Sequence, residues 1–397
     1  MAIKKLIYHL WPLSWGKIRT MTAFLPRIKA LGADYVWLSP IFSSPLKNSG
    51  YDISDYYSIN SRLGTIEDFE EFMSTAHTLD LKVILEIVID STSTSHPWFK
   101  QDPSKYIWAK EPSLDYQNLV DQDTAWEYYP KRGEYYLHLN LSSQADLNWW
   151  PGGVVNRNLV RYFKDVMYYW ASKYDVDGFK IGSVESLNKN ISQDMHFHKL
   201  LKDKRATTIL NELTNVYSKT APYIIMECID NTGSEIAYYE KETDVECISN
   251  TILKSMAAFH KGNTLDYINK YAKDSRFLLE LESPNSPRFT SRSEMSGKAV
   301  INMMFNSEAT NIVLYQGQEL GLTNPTADEL SIADMLSLDA KSASCIEKNI
   351  IAPESLRQNS CANCRLPIPM EEYALQEKNE NSTLNLTKTA IQKWKAY

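Results

Sequence analysis

Short apolar runs alternate along the chain with longer stretches in which apolar residues recur every three or four positions. Leu6–Leu10 and Tyr35–Leu38 read as strands, and between them Met21, Phe24, Leu25, Ile28 and Leu31 share one helical face, giving a β-α-β unit. Thr65, with Asp68 three residues on, reads as the cap of a helix that buries Phe69, Phe72, Met73 and Ala76. Val83–Ile89 is a nearly all-apolar third strand, as a parallel strand covered on both faces requires. Leu159, Phe163, Val166 and Trp170 mark a helix leading into a fourth strand at Val176–Ile181. Tyr223–Cys228, Val245–Ser249, Phe277–Ser283 and Asn311–Gly317 supply four more, and Leu384–Trp394 a last helix. Strands and helices in this alternation predict an α/β fold, a (β/α)8 barrel.

The alternation stops between His96-Pro97-Trp98-Phe99 and about Pro151, in a stretch crowded with Tyr, Trp, Asp and Gln. It is too aromatic for a disordered linker. The expected organisation is a barrel from 1–95 and 151–397, with a shortened subdomain inserted at 96–150. A chain of 397 residues, 43% hydrophobic, is long enough for such a barrel as one main domain. Its net charge of -7 argues against nucleic acid as a partner, which would call for clustered Lys and Arg. The apolar run at the N-terminus is too short for a signal peptide or a membrane span, so a cytoplasmic protein without a membrane partner is expected. Five cysteines, an odd number, fit a reducing compartment better than a disulfide framework.

In a barrel of this kind the chemistry sits at the carboxyl ends of the strands. Val36-Trp37-Leu38-Ser39-Pro40-Ile41, Gly50-Tyr51-Asp52-Ile53-Ser54-Asp55-Tyr56, Gln144-Ala145-Asp146-Leu147-Asn148-Trp149 and Tyr315-Gln316-Gly317-Gln318-Glu319-Leu320-Gly321 stand there in order. With them the chain resembles glycoside hydrolase family 13, the α-amylase clan, in its oligo-1,6-glucosidase, trehalose-6-phosphate hydrolase and α-glucosidase branch. The resemblance implies a retaining hydrolase, whose two carboxyl groups lie ~5 Å apart, one attacking the anomeric carbon and one protonating the leaving oxygen. It maps the acid/base to Glu227, in Ile224-Ile225-Met226-Glu227, and possible sugar contacts to Asp52, Arg288 and Gln144. The nucleophile maps to Gly182, after Asp177-Gly178-Phe179-Lys180-Ile181, where glycine offers no carboxylate. The third acid and the histidine before it map to Asn285 and Pro284, the basic residue before the nucleophile to Lys180, and an Asn-His pair to Asp90-Ser91. A lysine lacks the guanidinium fork. Loss of a nucleophile costs on the order of 10⁶ in rate in a well-dissected hydrolase.

Other acids could stand in for the missing one: Glu280, Glu282 or Glu185, each of which also reads as a paired or solvated acid. His196-Phe197-His198 lacks a third zinc ligand, and Cys361-Ala362-Asn363-Cys364 is a lone pair inside a segment resembling the family's Asn-x-Arg-x-Pro-Met stretch. Where the family often has an Asp-rich calcium loop, Trp15-Gly16-Lys17-Ile18 runs straight into a helix, so neither metal nor cofactor is expected. The family's C-terminal β-sandwich is not expected after the apparent eighth helix. Three functions fit: an impaired α-glucosidase-like protein with weak α-glucoside or oligosaccharide binding, an active α-glucosidase using displaced carboxylates, and a non-catalytic scaffold for an unknown protein partner.

Overall fold

The computed structural model describes residues 3–112, 117, 120, 123–182, 184–189, 205–214, 222–228, 234–250, 252–255, 264–272, 276–293 and 295–396. Eight barrel strands, β1 (Lys5–Leu10), β2 (Tyr35–Leu38), β3 (Lys82–Ile87), β4 (Gly178–Ile181), β5 (Tyr223–Cys228), β6 (Cys247–Asn250), β7 (Phe277–Leu279) and β8 (Asn311–Tyr315), close into one ring. Each pairs in parallel with its neighbours in sequence, and β1 closes on β8. The predicted (β/α)8 barrel is therefore the observed one, with strand ends moved by a few residues. β7 is the largest change: the ladder ends at Leu279, and Glu280 to Ser283 run on beyond it as unpaired backbone.

Helices cover the outside. Those at Ile18–Leu31 and Ile66–Thr78 bury the apolar faces read from the sequence, and the second opens with a reciprocal capping box between Thr65 and Asp68. Asn156 caps the helix Arg157–Tyr174, which buries Leu159, Phe163, Val166 and Trp170. The last helix, Thr383–Ala396, buries Leu384, Ile391 and Trp394. Among the described residues no helix is long and apolar enough to cross a membrane.

Two excursions from the barrel rim were not legible as elements. Between β3 and β4, Ser91–Ser93 pairs antiparallel with Gln144–Asp146, and Glu134–Leu137 runs between Trp108–Ala109 and Trp126–Tyr129. This small sheet has its own core of Ile107, Ala125, Trp126, Leu137 and Leu139. Strands of two to four residues are too short for a periodic signal. After β8, helices Ile332–Leu338 and Ala340–Glu347 fold over a second small core of Leu330, Met335, Leu356 and Ala362. That excursion returns to the barrel mouth, where Arg365 donates to the Pro284 carbonyl (2.7 Å) and to Asn285 Oδ1 (3.0 Å).

Candidate active site

Side chains two apart on a strand share a face, so each barrel strand sends a series of residues into the interior. The lower interior layer is an apolar plug containing Ile7, Ile84, Ile225, Cys247 and Leu278. Two residues further towards the carboxyl ends come His9, Glu86, Glu227, Ser249 and Glu280, and Lys180 joins them from β4. One step of strand period thus converts a hydrophobic plug into a charged layer at the barrel mouth.

Those charges form a ladder. Lys180 Nζ lies 2.8 Å from Glu86 Oε1 on the neighbouring strand and 2.8 Å from Glu227 Oε2 on the other side. Lys254, from the short helix Ile252–Ser255 after β6, reaches back to Glu227 Oε2 at 3.1 Å and Glu280 Oε2 at 2.7 Å. Ser249 Oγ also donates to Glu280 Oε2, at 2.7 Å. His9 Nδ1 stands 3.8 Å from Glu280 Oε1 and its ring stacks on Trp37, centroids 3.8 Å apart.

Burial alone would raise the acidity constants of these carboxyls, but the ammonium groups prevail. Lys180 and Lys254 hold Glu227 far below the usual carboxylate range, and Lys254 and His9 hold Glu280 down to about 2. The carboxylates in turn outweigh burial at the lysines and keep both raised, so both stay charged. At His9 burial prevails and lowers the pKa, which leaves the imidazole neutral.

The ladder lines a cleft with two lobes of about 120 and 140 Å³, which share Tyr51, Glu86, Lys180, Glu227 and Asn285. Gln144, Gly182 and Lys341 border the first lobe, and His9, Trp37, Lys254, Glu280 and Pro284 the second. A β-carbon on Gly182 would meet one atom, Lys180 Nζ, at 3.2 Å. The lysine ammonium thus stands beside the space where the resemblance puts a nucleophile.

Of the residues singled out from sequence, Glu227, Gln144, Lys180, Gly182, Pro284 and Asn285 meet in this cleft. Gln144 is braced within it, its Oε1 accepting from Asn48 at 2.6 Å and its Nε2 donating to the Tyr51 carbonyl at 3.1 Å. Asn285 is held by Arg365 and donates to the Tyr51 hydroxyl at 3.3 Å. Asp52 and Arg288 do not line the cleft. Asp52 is fully buried and accepts from Ser44 Oγ and from the backbone N–H of Lys47 and Asn48 at 2.8–3.0 Å, tying the loop that carries Asn48 and Tyr51. Arg288 is buried against Glu282 (2.9 Å) and the Gln316 carbonyl (2.8 Å). Ser91 is buried beside the cleft and reaches Gln144 at 3.5 Å, while Asp90 borders the first lobe. Glu185 is buried in the 3-10 turn Val184–Asn188, outside the lining residues. Cys361 and Cys364 are free thiols, each pushed up to about 12 by burial. His196 and His198 lie outside the described residues.

Three residues of the ladder were missed. Glu86 had a signal, a lone acid in the apolar run Val83–Ile89 at strand spacing from Ile84. His9 had the same signal on β1. Lys254 had none, because only the fold brings its helix back over the mouth.

Comparison with known proteins supplies the family. The chain matches the family described as "Alpha amylase, catalytic domain" over residues 12–368. It is 28% identical to trehalose-6-phosphate hydrolase of Bacillus subtilis (strain 168) over 92% of this chain and 73% of that protein. It is 30% identical to the probable oligo-1,6-glucosidase 3 of the same organism, over 84% of this chain and 68% of that one. In fold it superposes on the crystal structure of Bacillus licheniformis trehalose-6-phosphate hydrolase with a TM-score of 0.84 at 24% identity, covering 99% of this chain and 83% of that one. Isomaltulose synthase from Klebsiella sp. LX3 gives 0.86 at 20% identity, with 99% and 84% covered. With the barrel closed, the cleft at its carboxyl end and the match running through nearly all of it, the chain belongs to the α-amylase catalytic-domain family, glycoside hydrolase family 13, and is similar to its α-glucosidase members.

Proposed function

We propose that the protein is an impaired or inactive α-glucosidase-like homologue that keeps a small polar cleft for an α-glucoside or oligosaccharide. The observation that carries this reading is the clasp on Glu227 by two ammonium groups. A general acid must hold a proton at working pH, which is why such carboxyls are raised towards neutrality. Glu227 is instead held ionised, and beside it Gly182 offers no atom to form a glycosyl-enzyme bond. The names of similar proteins, trehalose-6-phosphate hydrolase and oligo-1,6-glucosidase, supply the class of sugar.

The reading with displaced carboxylates has one point in its favour. Glu227 and Glu280 touch the same ammonium, so their oxygens are no farther apart than the two contacts laid end to end. That is the scale of the ~5 Å separation in a retaining pair. The shared lysine, however, ionises both members, and neither is left to donate the proton.

The test is an assay of the purified protein on nitrophenyl α-glucosides and α-linked disaccharides, with calorimetry on glucose, maltose and isomaltose. Binding without turnover is expected. Turnover near the enzyme median of ~10 per second that Glu227→Gln abolishes would overturn the proposal.

A further inference from the structure

Four buried polar atoms in the second lobe of the cleft have no hydrogen-bond partner: Glu86 Oε2, Glu280 Oε1, His9 Nδ1 and Trp37 Nε1. Their residues are at most 4% exposed. Buried polar groups in proteins are otherwise almost always paired, and four exceptions in one wall mark a surface built for a polar guest. Three of the four are or can be acceptors, since the neutral imidazole has one acceptor nitrogen and the carboxylates have only acceptors. The guest must therefore be rich in donors.

The charge count adds a second requirement. Three carboxylates, Glu86, Glu227 and Glu280, are interleaved with two ammonium groups, Lys180 and Lys254. Each lysine is used twice. Glu227, in the middle, touches both, whereas Glu86 and Glu280 at the ends touch one each and keep one oxygen unpartnered. The ladder is thus one negative charge in excess, and the excess lies at its ends, where the free acceptor oxygens are. At the Glu280 end the nearest further group, His9, contributes no compensating charge.

We infer that the cleft takes a protonated amino sugar or amino polyol, whose ammonium pairs with a terminal carboxylate of the ladder and whose hydroxyls donate to the remaining free acceptors. This deepens the proposed sugar-binding function and rests on it. A charged donor to a carboxylate is about twice as strong as a neutral one, and a low-dielectric site accentuates the difference. A neutral glucosyl ring would satisfy the acceptors and leave the charge unbalanced.

Calorimetry with D-glucosamine, glucose and N-acetylglucosamine, slightly below neutral pH so that the amine is protonated, tests the inference. Glucosamine is expected to bind about tenfold tighter than either neutral sugar, or more. Glu280→Gln, or Glu86→Gln as a second variant, should reduce that preference. The comparison of ligands on the unmodified protein does not depend on either variant folding. If glucose binds and glucosamine binds no better, the inference fails and the sugar-binding proposal stands. If no sugar of the panel, maltose and isomaltose included, binds at millimolar concentration, both fail.

Discussion

The ammonium of Lys180 lies 3.2 Å from the point where a β-carbon on Gly182 would stand. A side chain restored at 182 therefore meets a charge already committed to Glu86 and Glu227, at 2.8 Å each. Loss of the nucleophile and capture of the acid/base position are two aspects of one arrangement.

Restoring Gly182→Asp together with Asn285→Asp is expected to give a folded protein with at most a trace of hydrolysis. The backbone at 182 is not in the left-handed region, so an aspartate is tolerated once Lys180 shifts by a few tenths of an ångström. Its carboxylate adds a third acid around Lys180 and does nothing to protonate Glu227. A nitrophenyl α-glucoside assay checks this, and turnover within an order of magnitude of ~10 per second would show that the lysines do not control the site.

Lys254→Met should be strongly destabilising. It leaves Glu280 without an ammonium partner in a site 1% exposed and removes one of the two on Glu227. Breaking a buried ion pair from one side costs about 3–5 kcal/mol, measurable by denaturant titration. Adding Glu280→Gln to Lys254→Met should recover part of the loss, because the uncompensated charge goes with it.

Acid should attack the same ladder. The folded-state pKa of Glu227 and Glu280 lies below the unfolded value of ~4.3, with Glu280 at about 2. For a depressed carboxyl the native state binds fewer protons, so its contribution is complete above ~4.3 and is lost as pH falls through the folded pKa. Melting temperature should drop through that window, and less steeply in Glu280→Gln.

Glu319 should act in the opposite sense. Its carboxyl is buried, accepts one bond from the Tyr8 hydroxyl at 2.6 Å, and is raised by burial to about 7. A raised carboxyl contributes fully below its unfolded ~4.3, and that contribution is lost as pH climbs through the folded value, by on the order of 3 kcal/mol. Glu319→Gln keeps the bond from Tyr8 and should flatten unfolding free energy between about pH 5 and about pH 8. An unchanged slope there would mean that Glu319 is not the titrating group.

The sequence by itself determined the barrel and its deficits. Strand and helix periods are local properties, so runs such as Tyr223–Cys228 and the face of Leu159, Phe163, Val166 and Trp170 declare themselves without knowledge of neighbours. Gly182 and Asn285 were legible for the same reason, since a missing carboxylate is a fact about one position in an ordered pattern. What Glu227 does was not legible. Its state depends on Lys180 one strand away and on Lys254, which follows it by 27 positions and reaches it only because the helix after β6 folds back over the mouth. Asp52 and Arg288 stood in the right places to touch a sugar, but tertiary structure gave them to a loop and to Glu282. Closure of the ring decided these roles: it fixes which inward side chains share a layer, and in a buried layer charges are set by those neighbours and not by residue type.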